Sequence, residues 1–164
     1  MKKILFISLI AIFSSCGFYS FTGASISPDV KTFSVDYFNN KATTVNASLS
    51  SVFTEMLKEH FTRQTSLEQI ENDGDLSFEG EITSYTIKPI AIQANEIARQ
   101  NRLTIKVKVE FVNKFDENLN FNSTFSRYKD FPADEDLSQV EEIYMEEICT
   151  ELVEDIFNKS VVNW

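Results

Sequence analysis

The sequence predicts an α+β fold, a two-layer sandwich in which a four-stranded, mostly antiparallel sheet carries two helices on one face. Two observations predict it. Apolar residues recur at helical spacing in two segments, and they alternate with polar residues in the other ordered segments. The predicted order is β-α-β-β-β-α, in which three successive strands favour an antiparallel meander that the first strand extends. Alternation leaves the second sheet face polar, exposed to water or reserved for a partner.

The first predicted strand and the first predicted helix lie in the first half of the domain. Residues Val30 to Tyr37 are rich in β-branched and aromatic side chains, which is typical of a strand. Either Asn46 or Ser48 can cap the helix that follows, by accepting a hydrogen bond from a free backbone N–H. The apolar residues of this helix fall on one stripe: Leu49, Val52, Phe53, Met56, Leu57 and Phe61.

Three more strands are predicted in the middle of the chain. Residues 76–82 alternate between apolar and polar, but Tyr85 and Ile87 continue with the opposite parity, which indicates a β-bulge or a strong twist around Ser84. Pro89 lacks a backbone N–H, so we expect it to limit strand pairing. The two later strands are read from the most regular alternation, over residues 103–111, and from Phe121, Ser123 and Phe125.

The last predicted element is a long helix from about Leu137 to Val161, capped by Asp136 or Asp134. Cys149 lies on its apolar side, which favours a small buried hydrophobic residue over a reactive thiol. The other members of this side are Leu137, Met145, Ile148, Leu152 and Ile156, flanked by Tyr144 and Val153. Two acidic residues lie nearer the apolar border than a regular pattern allows: Glu141 and Asp155.

The first residues have the pattern of an export signal. Lys2 and Lys3 precede a ten-residue, mainly apolar run over residues 4–13. This run is too short to span a bilayer, which requires about 20 apolar residues. It fits the apolar region of a secretory signal peptide, which is followed by small residues at a cleavage site.

Cys16 indicates which kind of signal this is. It follows two serines and resembles the cysteine of a bacterial lipobox, whose thiol is acylated, although Phe13 stands where Leu is usual. Two or more acyl chains would anchor the chain stably to a membrane. The aromatic residues that follow suggest that the tether lies against the membrane surface or a partner protein. We therefore predict a lipoprotein signal peptide over residues 1–15, a lipidated tether over 16–28 and a single domain over 29–164.

Charge and motifs exclude several classes of function. The chain has 25 acidic and 15 basic residues, a net charge of −10, which falls to −12 once Lys2 and Lys3 are removed. Such acidity disfavours a nucleic-acid partner. The sequence holds no Cys/His cluster with metal-ligand spacing, no phosphate-binding glycine loop and no hydrolase motif. The only histidine, His60, borders an apolar stripe and is read as a core or rim residue. We predict a non-enzyme without metal or cofactor.

The few basic residues form one candidate site. Arg102, Lys106 and Lys108 lie close together, and the two lysines share the polar face of their strand. Arg127 lies on the following strand, where pairing could bring it near them. Such a cluster in an acidic chain could bind phosphate groups or an acidic surface. Alternatively, these side chains are simply solvated and protect the sheet from aggregation.

Several segments together resemble the LptE family of lipopolysaccharide-assembly lipoproteins from Gram-negative outer membranes. The resemblance covers residues 16–164 and rests on the whole pattern, with no catalytic motif among its features. The segments that carry it are CGFYSFTGASISPDVKTFSV, LSSVFTEMLKEHFTRQTSL, DLSFEGEITSY, NEIARQNRLTIKVKVEFVN and EDIFNKSVVNW.

The resemblance implies a specific function. Proteins of this family plug the β-barrel of LptD, assist its folding and help deliver lipopolysaccharide to the outer leaflet. It therefore implies a lipid-anchored protein of the outer membrane that faces the periplasm. Its partners would be an LptD-like barrel, lipopolysaccharide and, through acylated Cys16, outer-membrane lipid. Arg102, Lys106, Lys108 and Arg127 are the candidate lipopolysaccharide-binding residues, on charge and face alone. The alternative is an envelope lipoprotein that carries a small apolar or glycan ligand between sheet and helices, which requires an enclosed pocket.

Overall fold

The computed structural model describes residues 26–44, 46–90 and 99–162. The predicted signal peptide, Cys16 and most of the predicted tether lie outside these ranges. The elements are β1 (Thr32–Val35), β2 (Asn39–Asn40), α1 (Leu49–Gln64), β3 (Glu68–Gln69), β4 (Leu76–Ile90), β5 (Gln100–Asn113), a 3-10 turn (Glu117–Leu119), β6 (Phe121–Pro132) and α2 (Leu137–Val161).

The strands form one twisted sheet in the order β3-β1-β4-β5-β6, with β2 also paired to β4. β4, β5 and β6 are antiparallel neighbours, so the predicted meander is confirmed. β1 lies parallel to β4, and α1 provides the crossover that a parallel pair requires. The predicted α+β class is confirmed, with six strands among the described residues in place of the four predicted. The two additional strands, β2 and β3, have two residues each, too few for a period to be visible in sequence.

Two irregular positions were expected in β4, a bulge near Ser84 and a limit to pairing at Pro89. The register shifts between Ile82 and Ser84, which confirms the predicted bulge and turns Tyr85 into the core. Pro89 does not end β4, which continues to Ile90 with Pro89 opposite Asn101 of β5. Among the described residues, this half of β4 pairs only with β5. Proline is tolerated on such an edge because the other side needs no N–H donor.

Aromatic side chains fill the layer between sheet and helices. Phe61 of α1 contacts Phe33, Phe78 and Phe157, with ring centroids 5.6, 4.6 and 5.0 Å away. Such tilted and edge-on ring pairs add to the free energy gained from burying the rings. Phe157 extends the buried side of α2 beyond the predicted stripe, since it is only 8% exposed.

The two helix starts resolve the alternatives that the sequence left open. Ser48 occupies the first capping position of α1, but its side chain makes no capping bond. Instead, Asn46 Oδ1 accepts hydrogen bonds from the backbone N–H groups of Ser48 and Leu49, at 3.0 and 3.2 Å. At α2, Asp136 Oδ1 accepts from the N–H of Ser138 at 3.1 Å, and the helix has the predicted bounds.

A polar contact joins the helix layer to the sheet. Glu141 of α2 accepts a hydrogen bond from the hydroxyl of buried Tyr85 and another from Asn46 Nδ2, at 3.1 Å. This contact explains why Glu141 lies so near the apolar border of α2, because its carboxylate is needed there to satisfy Tyr85.

Candidate functional site

The candidate basic residues of β5 lie on the open face of the sheet, opposite the helices. Alternation along β5 is regular, with Lys106, Lys108 and Glu110 exposed. Their neighbours in sequence point the other way and are fully buried: Leu103, Ile105, Val107, Val109 and Phe111. The prediction that Lys106 and Lys108 share a solvent-facing surface is therefore confirmed in geometry.

Arg102 lies on the same open face, but local contacts hold its guanidinium. Its Nε and one terminal nitrogen donate to the two carboxylate oxygens of Asp130, at 2.6 and 2.7 Å. The guanidinium also stacks over the ring of Tyr128, with Cζ 3.7 Å from the ring centroid. The hydrogen bonds to Asp130 raise the pKa of Arg102, and those from Arg102 hold the pKa of Asp130 below its ordinary value. Arg102 therefore has a fixed orientation and reduced capacity for another anion.

Of the candidate residues, Lys106 and Lys108 are the cations that remain available. Within the described ranges neither forms a salt bridge. Lys106 lies between Ser84 and Ser126 in the register, whereas Lys108 lies between Glu81 and Thr124. The two lysines thus have different electrostatic surroundings.

The open face has a charge gradient along the strands. Near Lys108 it is acidic, with a shallow depression of about 290 Å³ that Glu79, Glu81 and Glu110 help to line. Toward the other end it becomes basic, because Lys88 lies directly opposite Arg102. Sequence reasoning missed Lys88. Its position in the alternation could have identified it. Before the bulge the odd-numbered residues of β4 lie on the polar face, and after the bulge the even-numbered residues do.

Arg127 does not join this cluster. It lies opposite Ile105 in the register, so it projects toward the helix side of the sheet, and the idea that pairing could bring it near the lysines was wrong. There it donates two hydrogen bonds to Asp155 of α2, both at 2.6 Å, and a terminal nitrogen lies 3.7 Å from Glu151. The hydrogen bonds to Asp155 raise the pKa of Arg127. This contact accounts for the position of Asp155 near the apolar border of α2.

Two other side chains could in principle take part in a reaction, His60 and Cys149, but both are packed against or within the core. His60 packs edge-on against Phe157, with ring centroids 4.8 Å apart, and burial lowers its pKa although the charge of Glu154 opposes this. Cys149 is fully buried, and burial raises its pKa to about 12, so it carries a protonated thiol at neutral pH. Over residues 26–44, 46–90 and 99–162 no group of acidic, Cys and His side chains is arranged to hold a metal ion.

Of the helices in the described part of the chain, none combines the length and the apolar character needed to cross a bilayer.

Comparisons with known proteins identify both a family and a fold. The model of the LptE lipopolysaccharide-assembly family matches residues 30–160. No curated protein matches the sequence. A minor lipoprotein from Acinetobacter baumannii is similar in structure, with a TM-score of 0.53 and 12% identity, over 79% of this chain and 91% of that one. A neuraminyllactose-binding hemagglutinin homologue from Helicobacter pylori also has a TM-score of 0.53 and 12% identity, over 86% and 88% of the chains. At this identity the likeness concerns the fold alone.

Proposed function

Because this chain belongs to the LptE lipopolysaccharide-assembly family, we propose that it is an outer-membrane lipoprotein that plugs an LptD-like β-barrel and assists lipopolysaccharide transport. The observation that carries the proposal is the family match, which spans nearly the whole described domain. The geometry supports it with a two-layer body whose second sheet face is mostly polar, with Lys106, Lys108 and Glu110 exposed on its central strand. Such a face can contact the polar lining of a barrel without unfolding.

The anchor belongs to the same proposal. A signal peptide over residues 1–15 would be removed, Cys16 would be acylated, and residues 16–28 would connect the lipid to the domain that begins at residue 29. The domain would then face the periplasm from the outer membrane.

The anchor is tested by Cys16→Ala, which we expect to release the protein from membranes because the acyl chains are lost. Cys149→Ala is the matched control, since it removes the other cysteine and leaves the lipobox intact. Membrane fractionation in cells without the barrel partner measures the outcome. Retention of the Cys16→Ala protein there, or an unmodified thiol with the leader still attached in mass spectrometry, would refute the anchor.

We also propose that the basic residues of the open face bind phosphate groups of lipopolysaccharide. Of the four candidates, Lys106 and Lys108 have no salt bridge within the described ranges, whereas Arg102 and Arg127 are engaged by Asp130 and Asp155. The lysines therefore supply the charge, and Arg102 supplies a fixed cation beside Tyr128. Arg127 would contribute only if it left Asp155.

Reversing both lysines, Lys106→Glu with Lys108→Glu, should weaken lipopolysaccharide binding at least about tenfold, or about 1.4 kcal/mol. Binding to immobilised lipopolysaccharide at fixed salt measures the effect. Lys31→Glu with Lys41→Glu changes the net charge equally on other surfaces and should have a much smaller effect. Folding should persist in both variants because all four side chains are exposed. Equal affinities for the two double variants would assign the open-face lysines to solvation alone.

Partnership with the barrel is tested by purification from native outer membranes, which should recover a large β-barrel protein together with this chain. Repeated purification without such a partner would refute the assembly role. The carrier alternative required an enclosed pocket between sheet and helices, but that layer is filled by side chains such as Phe33, Phe61 and Phe111, which are fully buried. We therefore favour the assembly factor.

A further inference from the structure

A groove of about 410 Å³ lies at the end of the molecule where the described chain begins and α2 ends. Four separate segments form it: the residues before β1, the start of β4, the end of β5 with the loop that follows it, and the last turn of α2. Its apolar walls come from Ile26, Pro28, Leu76, Phe115, Leu119 and Val161. Four polar residues complete the lining: Ser27, Asn113, Asp116 and Ser160.

The loop on one side of the groove is held in shape by Asn113. Its Oδ1 accepts hydrogen bonds from the N–H groups of Phe115 and Asp116, at 2.9 and 3.1 Å. Its own N–H donates to Asn120 Oδ1, at 2.7 Å. Phe115 is consequently presented beside the groove with 53% of its surface exposed. A large apolar side chain fixed in this way gains free energy when another apolar group covers it.

We propose that the indole of Trp164 docks in this groove. Val161 lines the groove and Val162 packs against the core, so the chain leaves α2 at the groove itself. Trp164 follows Val162 by two residues, a reach of about 7 Å for extended backbone before the side chain is added. An indole has an apolar body and one N–H donor, which suits a mainly apolar lining that also carries oxygen acceptors.

Charge argues for this occupant over a lipid surface. Asp116 lines the groove, and Asp29, Asp75 and Glu117 each adjoin a lining residue in sequence. Negative charge at this end of the molecule would repel anionic headgroups but does not hinder a neutral indole. The aromatic residues Phe18, Tyr19 and Phe21 are the competing occupants from this chain, but at least four residues separate them from Ile26.

Docking of Trp164 would connect the two ends of the domain. The indole would cover Ile26 and Pro28, the segment through which the proposed tether leaves the domain. Trp164 would thereby fix the orientation of the domain relative to its lipid anchor. This consequence depends on the proposed function, whereas the docking itself does not.

Intrinsic fluorescence of the full chain tests the docking, because Trp164 is the only tryptophan. We expect emission typical of a buried indole and weak quenching by iodide. Leu119→Ser, within the groove, should shift the emission to longer wavelength and increase the quenching constant several-fold. Ile143→Ser is the matched control, since Ile143 is 55% exposed on α2 and does not line the groove, and it should change neither quantity.

Phe115→Ser provides a second groove variant in case Leu119→Ser fails to fold, because an exposed side chain contributes less to folding. Emission typical of a water-exposed indole in the unmodified chain would overturn the proposal. Emission typical of a buried indole that neither groove variant changes would also overturn it. If the indole is exposed and residues 18–21 cover the groove instead, the proposal is likewise overturned. None of these outcomes depends on lipopolysaccharide or the barrel, so failure here is distinguishable from failure of the proposed function.

Discussion

Gly80 illustrates how one residue can depend on contacts that its own strand does not reveal. A Cβ at this position would lie 2.1 Å from the carbonyl oxygen of Lys108 and 2.6 Å from Cε1 of Phe38. Phe38 is fully buried and packs edge-on against Phe53, with ring centroids 5.0 Å apart. Neither the β5 backbone nor this ring can move without cost, so glycine is required by close approach.

Gly80→Ala should lower the free energy of unfolding by about 2–3 kcal/mol, because overpacking forces the β4–β5 pair or Phe38 to shift. Urea unfolding measures the change. Glu79→Ala, a neighbouring substitution at an exposed position, should remain within about 0.5 kcal/mol of the unmodified protein. A Gly80→Ala midpoint equal to that of the unmodified protein would show that the close approach is easily relieved.

The start of α1 gives a prediction at the scale of an element. Asn46 is the capping residue, and it also bonds to Glu141 of α2, whereas Ser48 donates its hydroxyl only to Asn46. Asn46→Ala should therefore destabilise the protein by about 1–2 kcal/mol. Ser48→Ala should cost clearly less. Thermal unfolding of the two variants checks the order, and the reverse order would return the capping role to Ser48.

The long elements could be predicted from sequence, because a period repeated over several turns outweighs local irregularity. α2 has the predicted bounds, and the bulge before Ser84 was visible as a change of parity. Arg127 has the parity of Phe121 and Phe125, so the alternation along β6 already places it on the helix side, a signal that sequence reasoning overlooked. β3 was invisible in the sequence, because only pairing with β1 makes its two residues a strand.

The candidate site was predicted only in part, because local periodicity is visible in a sequence and contacts between strands are not. Lys106 and Lys108 share a face by their spacing alone, which is a local property of one strand. Lys88 was missed although the change of parity before Ser84 places it on the polar face. The pairing of Arg102 with Asp130 was not visible, because it depends on a partner in another strand. The acidic surroundings of Lys108 likewise come from Glu79 and Glu81, which lie far from it in sequence but next to it in the sheet.

At the scale of the whole molecule, two protonated groups are enclosed when the helix layer closes on the sheet. Burial, together with the hydrogen bond to Glu141, raises the pKa of Tyr85 above its ordinary value of 10.0. Burial raises the pKa of the Cys149 thiol from 9.0 to about 12. In the unfolded chain both groups lose their protons at lower pH than in the folded protein. Above pH 9 the folded state therefore binds more protons, and stability must fall as pH rises.

We therefore expect the free energy of unfolding to decrease from pH 9 upward, through the thiol first and the phenol above pH 10. Each proton that only the folded state retains contributes up to about 1.4 kcal/mol per pH unit. Chemical unfolding at successive pH values measures the slope. Cys149→Ala should flatten it above pH 9, and Tyr85→Phe should flatten it above pH 10. Tyr37→Phe, which removes a hydroxyl from a side chain that is 54% exposed, serves as the control. Equal slopes in all four proteins would mean that neither buried group remains protonated when the sandwich is closed.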